Sequence, residues 1–391
     1  MKKILIIPSW YPTEKDHSHG IFFENEAIVL SSIYDVKVYL PPKRKNWRML
    51  LSQTAVLDSN NYSRNGVSIY QERDVIIPPR LPQNFVDKYY YAFLRRYFKR
   101  LINKWGRPDL VHAYASLDAG YIAMGLGKFF GIPTVIKEVS GPFATLLESK
   151  ESRKKVREIL SSTKKIIAVS PSMKNEILNF DKNLSIDIVG CVARSEWFSD
   201  AGRAVPNTSK NTIKFLTVGR LTKSKGIIYL IAASYFLKQK GFKNFRLKIE
   251  GIGPESAFLK QMVNALGMSN ICNFLGFISR NELMKEFNNC DVFILPSLGE
   301  TFGVVTLEAM ACGKPVISTK CGGPEFVVTP ETGILVPPAD SEGLANAMEG
   351  FMTGKYKFEP TKIRESVKSR FGENAFLENI SRVYEEVWSS N

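Results

Sequence analysis

Two acidic side chains, Glu300 and Glu308, stand eight positions apart in the stretch GETFGVVTLEAMACGKPV, residues 299–316. By helical i, i+3, i+4 spacing Glu308 lies over Val304 and Val305 and under Ala311 and Cys312, so it shares the apolar stripe of its helix. A carboxylate on that face loses water and must find donors or take up a proton. Either the fold or a ligand supplies them. The helix opens near Gly303 and closes at Gly313, just before Lys314-Pro315. Its first amides, around Thr301 to Val304, form a site for an anion such as phosphate. Two carboxylates flanking such a helix start suit a ligand with hydroxyls on both sides of a diphosphate, and a nucleotide sugar is one. Taken alone, the pair would read as an acidic residue in an early turn, stabilised by the helix dipole.

The pair is not alone. TVGRLTKSKG places Arg220 and Lys225 after a strand and before a helix, where two cations can neutralise charge on a leaving diphosphate. A solvated basic loop accounts for them equally well in isolation. KIEGIGPE adds Gly251 and Gly253 behind another strand, allowing close backbone approach to a base or ribose. The run lacks the third glycine of the dinucleotide fingerprint, and no acidic residue ends the next strand, which disfavours a nicotinamide dehydrogenase. No DxD occurs, so a metal bridging a diphosphate is not required and the cations can replace it. His17 and His19 form a loop pair with too few companions for a metal site, and His112 reads as a satisfied core histidine.

The elements that must position these groups alternate. KKILIIPSW, DVKVYLPP, DLVHAY, PTVIKEV and KKIIAVS read as strands separated by helical patterns, with Ser170 and Pro171 opening one helix. Residues 201–211 are polar and aperiodic and are read as a linker. A second alternation follows, from IKFLTVG through DVFILPS to KPVIST. This pattern predicts two α/β domains with doubly wound parallel sheets, 1–205 and 206–370, with the ligand in the cleft between them. The helix over 371–391 is free to pack on either domain, including back on the N-terminal one.

Taken together, VGRLTKSKG, EGIGP, SLGETFGVVTLEAMACGKPVIST and CGGPEFV resemble the retaining glycosyltransferases of family 4, of GT-B fold. The N-terminal SWYPTEKDHSHGIFFENEAIVL is similar to that family's first strand and glycine loop, and the likeness spans nearly the whole chain. The resemblance implies two Rossmann-like domains with the nucleotide held mainly by the C-terminal one. It implies that Glu308 accepts from the ribose hydroxyls, that Glu300 contacts the donor sugar, and that Arg220 and Lys225 bind the diphosphate. Gly20 would let the N-terminal loop approach the phosphates, and the amides of Phe302, Gly303 and Val304 would cradle sugar and phosphate. On that basis the donors Glu308 needs come from the ligand. Many relatives carry a histidine near the reacting sugar; here the run is IKEVSG, with Glu138 retained and Val139 in the histidine's place. Glu138 is then expected to orient acceptor or donor hydroxyls, unless it is structural.

At 391 residues and 44% apolar content the chain can bury two cores. No run of 18 apolar residues suggests a membrane span, and the apolar start reads as a first strand rather than a signal peptide. Five cysteines without a CxxC fit a reducing cytoplasm. The net charge is +15, and residues 43–105 hold 13 basic against 4 acidic side chains, a local +9 that draws anions. Within it, KYYYAFLRRYFKRLINKW (88–105) aligns aromatics at helical spacing among Arg95, Arg96, Lys99 and Arg100. That is a candidate surface for an anionic membrane; a core-packed helix with a solvated basic face is the alternative. No RNA-binding signature is present, so nucleic acid is not expected.

The reading is therefore a metal-independent retaining hexosyltransferase of the cytoplasm, peripheral on the inner membrane face. It uses a UDP-, GDP- or ADP-sugar donor and a lipid-linked or polysaccharide acceptor. An epimerase or phosphorylase on the same fold, or a nucleotide-sugar-binding protein without turnover, is the rival.

Overall fold

The computed structural model describes residues 1–12, 20–46, 59–78, 82–198 and 212–390. The linker read at 201–211, the boundary at 205/206 and the pair His17 and His19 lie outside the described residues. The chain forms two compact units. The first holds Met1–Val169, Glu176–Val189 and Leu377–Asn391, and the second Ser170–Asn175 and Gly190–Phe376. The second unit thus takes in residues from Gly190 onward, because Ala193 N donates to Phe371 O at 2.7 Å and Ala193 bridges Gly372.

In the first unit an eight-stranded sheet runs in the spatial order Ile186–Ile188, Lys165–Ala168, Thr134–Glu138, Leu110–Tyr114, Lys3–Pro8, Asp35–Leu40, Val67–Gln71 and Asn60–Arg64. The central strands are mostly apolar and almost wholly buried, because helices cover both faces of a parallel sheet; His112, Lys137 and Glu138 are buried polar exceptions. The order reverses between Lys3–Pro8 and Leu110–Tyr114, whose carboxyl ends therefore diverge into a crevice. Asn60–Arg64 and Val67–Gln71 pair antiparallel about Asn65-Gly66, both with positive φ. An Asn-Gly pair is the usual two-residue hairpin turn, so this hairpin was visible in the sequence and is absent from the strand assignment above.

The helix Gln83–Trp105 lies against this sheet. Tyr90, Leu94, Tyr97, Phe98 and Leu101 are each no more than 4% exposed. The aromatic stripe is thus core, while the basic side chains Arg95, Arg96, Lys99 and Arg100 face solvent, as do Phe85 and Lys88 nearer the helix start. This corrects the assignment of the aromatics to a bilayer surface: the sheet offers enough apolar area to bury them. No helix among the described residues is long and apolar enough to cross a membrane.

The closing helix, Glu373–Ser389, enters the first unit from Leu377. Tyr384 OH lies 2.5 Å from His112 Nδ1, Tyr34 OH donates to Ser381 Oγ at 2.8 Å, and Trp388 Nε1 donates to Asp109 O. Burial, with the nearby Lys137 charge, holds the His112 imidazole well below its usual pKa, so it stays neutral in the core.

The second unit is a six-stranded, wholly parallel sheet in the order Cys272–Gly276, Phe245–Glu250, Ile213–Val218, Val292–Leu295, Val316–Thr319 and Gly333–Val336. Its order reverses between Ile213–Val218 and Val292–Leu295. The loops leaving those two strands carry Arg220 and Lys225 on one side and Glu300 on the other.

Candidate functional site

The loops after the two switch-point strands are bound to each other. Leu298 N donates to Ser224 O at 2.7 Å. Gly226 has φ +62°, and a Cβ there would strike Pro296 O, so only glycine permits this approach. The packing brings Lys225 Nζ to 2.5 Å from Glu300 Oε1, which also accepts from Ser297 Oγ at 2.7 Å. The Glu300 backbone is clamped in turn, its N donating to Cys321 O and its O accepting from Gly323 N. Both of its side-chain donors use Oε1. Oε2 accepts nothing among the described residues.

The helix Val304–Ala311 begins at Gly303, left-handed at φ +83°, whose carbonyl accepts from Thr306 N. Phe302 is buried against Phe326 and Phe371, which anchors the loop just before the helix start. Glu308, 6% exposed, has a partner the sequence reading did not find. Arg280 Nη1 donates to Glu308 Oε1 at 2.5 Å, and its guanidinium lies 5.1 Å from the centre of the Trp197 ring. The expectation that only a ligand could satisfy Glu308 is therefore corrected: the fold supplies one donor to one oxygen, and Oε2 is left open among the described residues. Arg280 starts the helix Arg280–Asn289, capped by Ser279 with Glu282. Its sequence signal is a helix start alone.

Glu250, at the end of its strand, was also passed over. It is 7% exposed, and burial together with the Glu308 charge pushes its pKa up to about 7, against the Ile278 N–H that favours the anion.

The glycines of KIEGIGPE serve a different purpose from the one expected. A Cβ on Gly251 would strike Gly219 O, and one on Gly253 would strike Leu221 O. Gly219 N donates to Glu250 O, Leu221 N to Ile252 O and Glu255 N to Leu221 O. A close approach at both glycines is made by the chain's own Arg220 loop. It presents Arg220 exposed beside Lys225.

In the first unit Gly20, left-handed at φ +87°, opens the helix Ile21–Leu30, and a Cβ there would meet Trp10 O at 2.9 Å. Glu138, expected to touch substrate hydroxyls, is fully buried. Its carboxylate accepts from Ser116 N and Ser140 N at 2.8 Å, Val139 N at 3.0 Å and the Ser116 hydroxyl. With both oxygens occupied it holds two loops together, which makes it a positioning residue. Val139 beside it is 8% exposed. The structure thus brings Arg220, Lys225 and Glu300 into one place and Glu308 with Arg280 and Glu250 into another, both in the second unit. Glu138 and Gly20 belong to the first.

Two such units, each a largely parallel sheet wrapped by helices, define a GT-B protein. The model for glycosyl transferases group 1 matches residues 199–375 and that for glycosyltransferase family 4 matches residues 33–188. The chain belongs to this family. It is 39% identical over 131 residues to an uncharacterised glycosyltransferase of Methanocaldococcus jannaschii, covering 33% of each chain. It is 31% identical over 185 residues to a putative colanic acid biosynthesis glycosyltransferase, WcaL, of Salmonella typhimurium, covering 45% of each. The matches thus span less than half the length of these curated relatives. Among solved structures, Anabaena HepE in complex with UDP superposes with a TM-score of 0.73 at 19% identity, over 99% of this chain and 100% of that one.

Proposed function

We propose that the protein is a retaining, metal-independent glycosyltransferase that moves a sugar from a nucleotide diphosphate sugar to a lipid-linked or polysaccharide acceptor. One observation carries the reading. Glu300 and Glu308 flank the start of one helix, and each keeps one carboxylate oxygen open while the other is held by a cation. In this reading Glu308 Oε2 accepts from the ribose and Glu300 Oε2 from the donor sugar. The amides of Phe302, Gly303 and Val304 face the phosphate and sugar. Lys225 and Arg220 offset the charge that grows on the leaving diphosphate, the role a metal would otherwise fill. Family membership and the UDP carried by the HepE structure support a nucleotide sugar as donor. The leaving phosphate then takes the acceptor proton, so a side-chain base at Val139 is not needed.

The deciding experiment incubates the protein with UDP-, GDP- and ADP-sugars and candidate acceptors. It measures nucleotide release and follows the anomeric configuration of the product by NMR. Retention is expected. Inversion would remove the mechanism, and tight binding without turnover on any acceptor would favour a non-catalytic protein.

The same reading puts the protein in the cytoplasm, against an anionic membrane, through the solvent-facing Arg95, Arg96, Lys99 and Arg100. Cosedimentation with anionic vesicles that is lost at high salt is the expected result. Equal binding to neutral vesicles would remove the electrostatic part.

A further inference from the structure

The parallel strands Phe245–Glu250 and Cys272–Gly276 end side by side in the second unit. Their ladder pairs Ile249 with Phe274 and then Glu250 with Gly276, skipping Leu275, and Gly251 N donates to Gly276 O at 2.8 Å. An irregularity of this kind re-aims the side chains at a strand end. The two loops that leave these strands carry Ile252 and Phe277, both exposed, on either side of the Glu250 position.

Glu250 itself is buried and short of donors. Ile278 N–H is the one hydrogen-bond donor described for its carboxylate, and it forms no ion pair among the described residues. An ionised carboxylate has about four lone-pair positions on its two oxygens, so most of them are unfilled. Glu308 has Arg280, whereas Glu250 has no such cation. A buried carboxylate in that state gains from any ligand that brings donors to it.

Its place beside Glu308 says which part of a ligand it meets. Glu250 lies close enough to Glu308 for the two charges to act on one another. In the donor reading Glu308 accepts from the ribose hydroxyls at C2′ and C3′. The base leaves the ribose from C1′, the carbon next to C2′, and so falls beside Glu308 as well.

We propose that Glu250 reads the base of the donor nucleotide and that this base is guanine. Guanine presents two adjacent donors, N1–H and the N2 amine, which match the two oxygens of one ionised carboxylate in a paired, charge-assisted contact. Adenine and cytosine set one donor beside one acceptor, and uracil sets a single N–H between two carbonyls. Each of those would turn an acceptor toward Glu250. Ile252 and Phe277 supply the apolar surface for the ring. The proposal rests on the nucleotide-sugar reading, which puts the ribose at Glu308.

The test is calorimetry on the full chain with GDP, IDP, UDP and ADP at pH 8, above the pKa of about 7 that Glu250 has in the free protein. GDP is expected to bind at least about tenfold tighter than UDP or ADP, because the other bases leave a buried carboxylate facing an acceptor. IDP, which lacks only the N2 amine, should bind about tenfold more weakly than GDP through the loss of one charge-assisted hydrogen bond. Glu250→Gln should remove most of the GDP preference, since its amide sets a donor against one of guanine's donors. A thermal melt shows that the variant folds, and the comparison of GDP with IDP needs no variant. The proposal is overturned if UDP or ADP binds as tightly as GDP, if IDP matches GDP, or if folded Glu250→Gln keeps the preference. Equal binding of UDP and GDP would leave the donor reading standing, whereas no binding by any of these nucleotides would sink both.

Discussion

Arg280 Nη1 donates to Glu308 Oε1 at 2.5 Å across 28 residues of sequence, and it occupies only one of the two carboxylate oxygens. Glu308 lies beside Glu250, a second buried carboxylate, and Arg280 supplies the cation that pairs with it. Its guanidinium is itself fixed on the face of Trp197. The pair therefore aims the open oxygen without filling the site.

Arg280→Ala is expected to weaken UDP binding by about tenfold, roughly 1.4 kcal/mol, because Glu308 loses the donor that fixes its carboxylate and aims its open oxygen. Arg280→Lys should restore part of the loss, and Glu308→Gln should cost at least as much as Arg280→Ala. Calorimetry with UDP measures all three. Unchanged affinity in Arg280→Ala would mean that Arg280 only decorates the helix start.

Lys225 faces Glu300 in the free protein and the diphosphate in the proposed complex. Because leaving-group charge develops in the transition state, Lys225→Ala should lower kcat on the order of 100-fold while KM changes much less. Arg220→Ala, at an exposed position, should have the smaller effect. Steady-state kinetics with the best donor decides; a pure KM effect would put Lys225 in ground-state binding only.

Glu250 gives the protein a pH signature of definite sign. Its folded-state pKa, about 7, lies above the ordinary carboxylate value, so between pH 4.5 and 7 the native state holds a proton that the unfolded chain has lost. Its contribution to stability is therefore greatest below that window and falls as pH rises through it. Thermal melts across pH 4.5–8 should show this decline in the wild type and a flatter profile in Glu250→Gln. Identical profiles would remove the assignment.

Glu138 accepts from three backbone amides and a hydroxyl. Glu138→Ala would orphan buried donors at Ser116, Val139 and Ser140, a loss of about 2–4 kcal/mol at the cost of roughly 1–3 kcal/mol for each unsatisfied group, less what water recovers. Chemical denaturation measures it. Val139→Ala should be mild in both stability and turnover. A Glu138→Ala protein of wild-type stability but without turnover would return Glu138 to direct contact with substrate.

The Asn60–Arg64 hairpin and the edge strands Ile186–Ile188 and Gly333–Val336 were not placed from the sequence. Most of the strand and helix order, the helix that carries Glu308 and the placement of Arg220, Lys225 and Glu300 at strand ends were legible in it. Each depends on periodicity and on turn residues such as Gly303 and Gly313, which act within a few positions of the chain. What each polar group meets was not legible, because partners are set by which strands become neighbours. Arg280 reaches Glu308, and Ser116 reaches Glu138, only once parallel strands align their carboxyl ends. Gly251 and Gly253 looked like room for a ligand, yet the adjacent strand's loop fills that room. The aromatic stripe of Gln83–Trp105 has the same spacing whether it covers a sheet or a bilayer, and the apolar face of the first sheet decided the matter by burying it. Local spacing determines which face a residue occupies; only tertiary packing determines what that face touches.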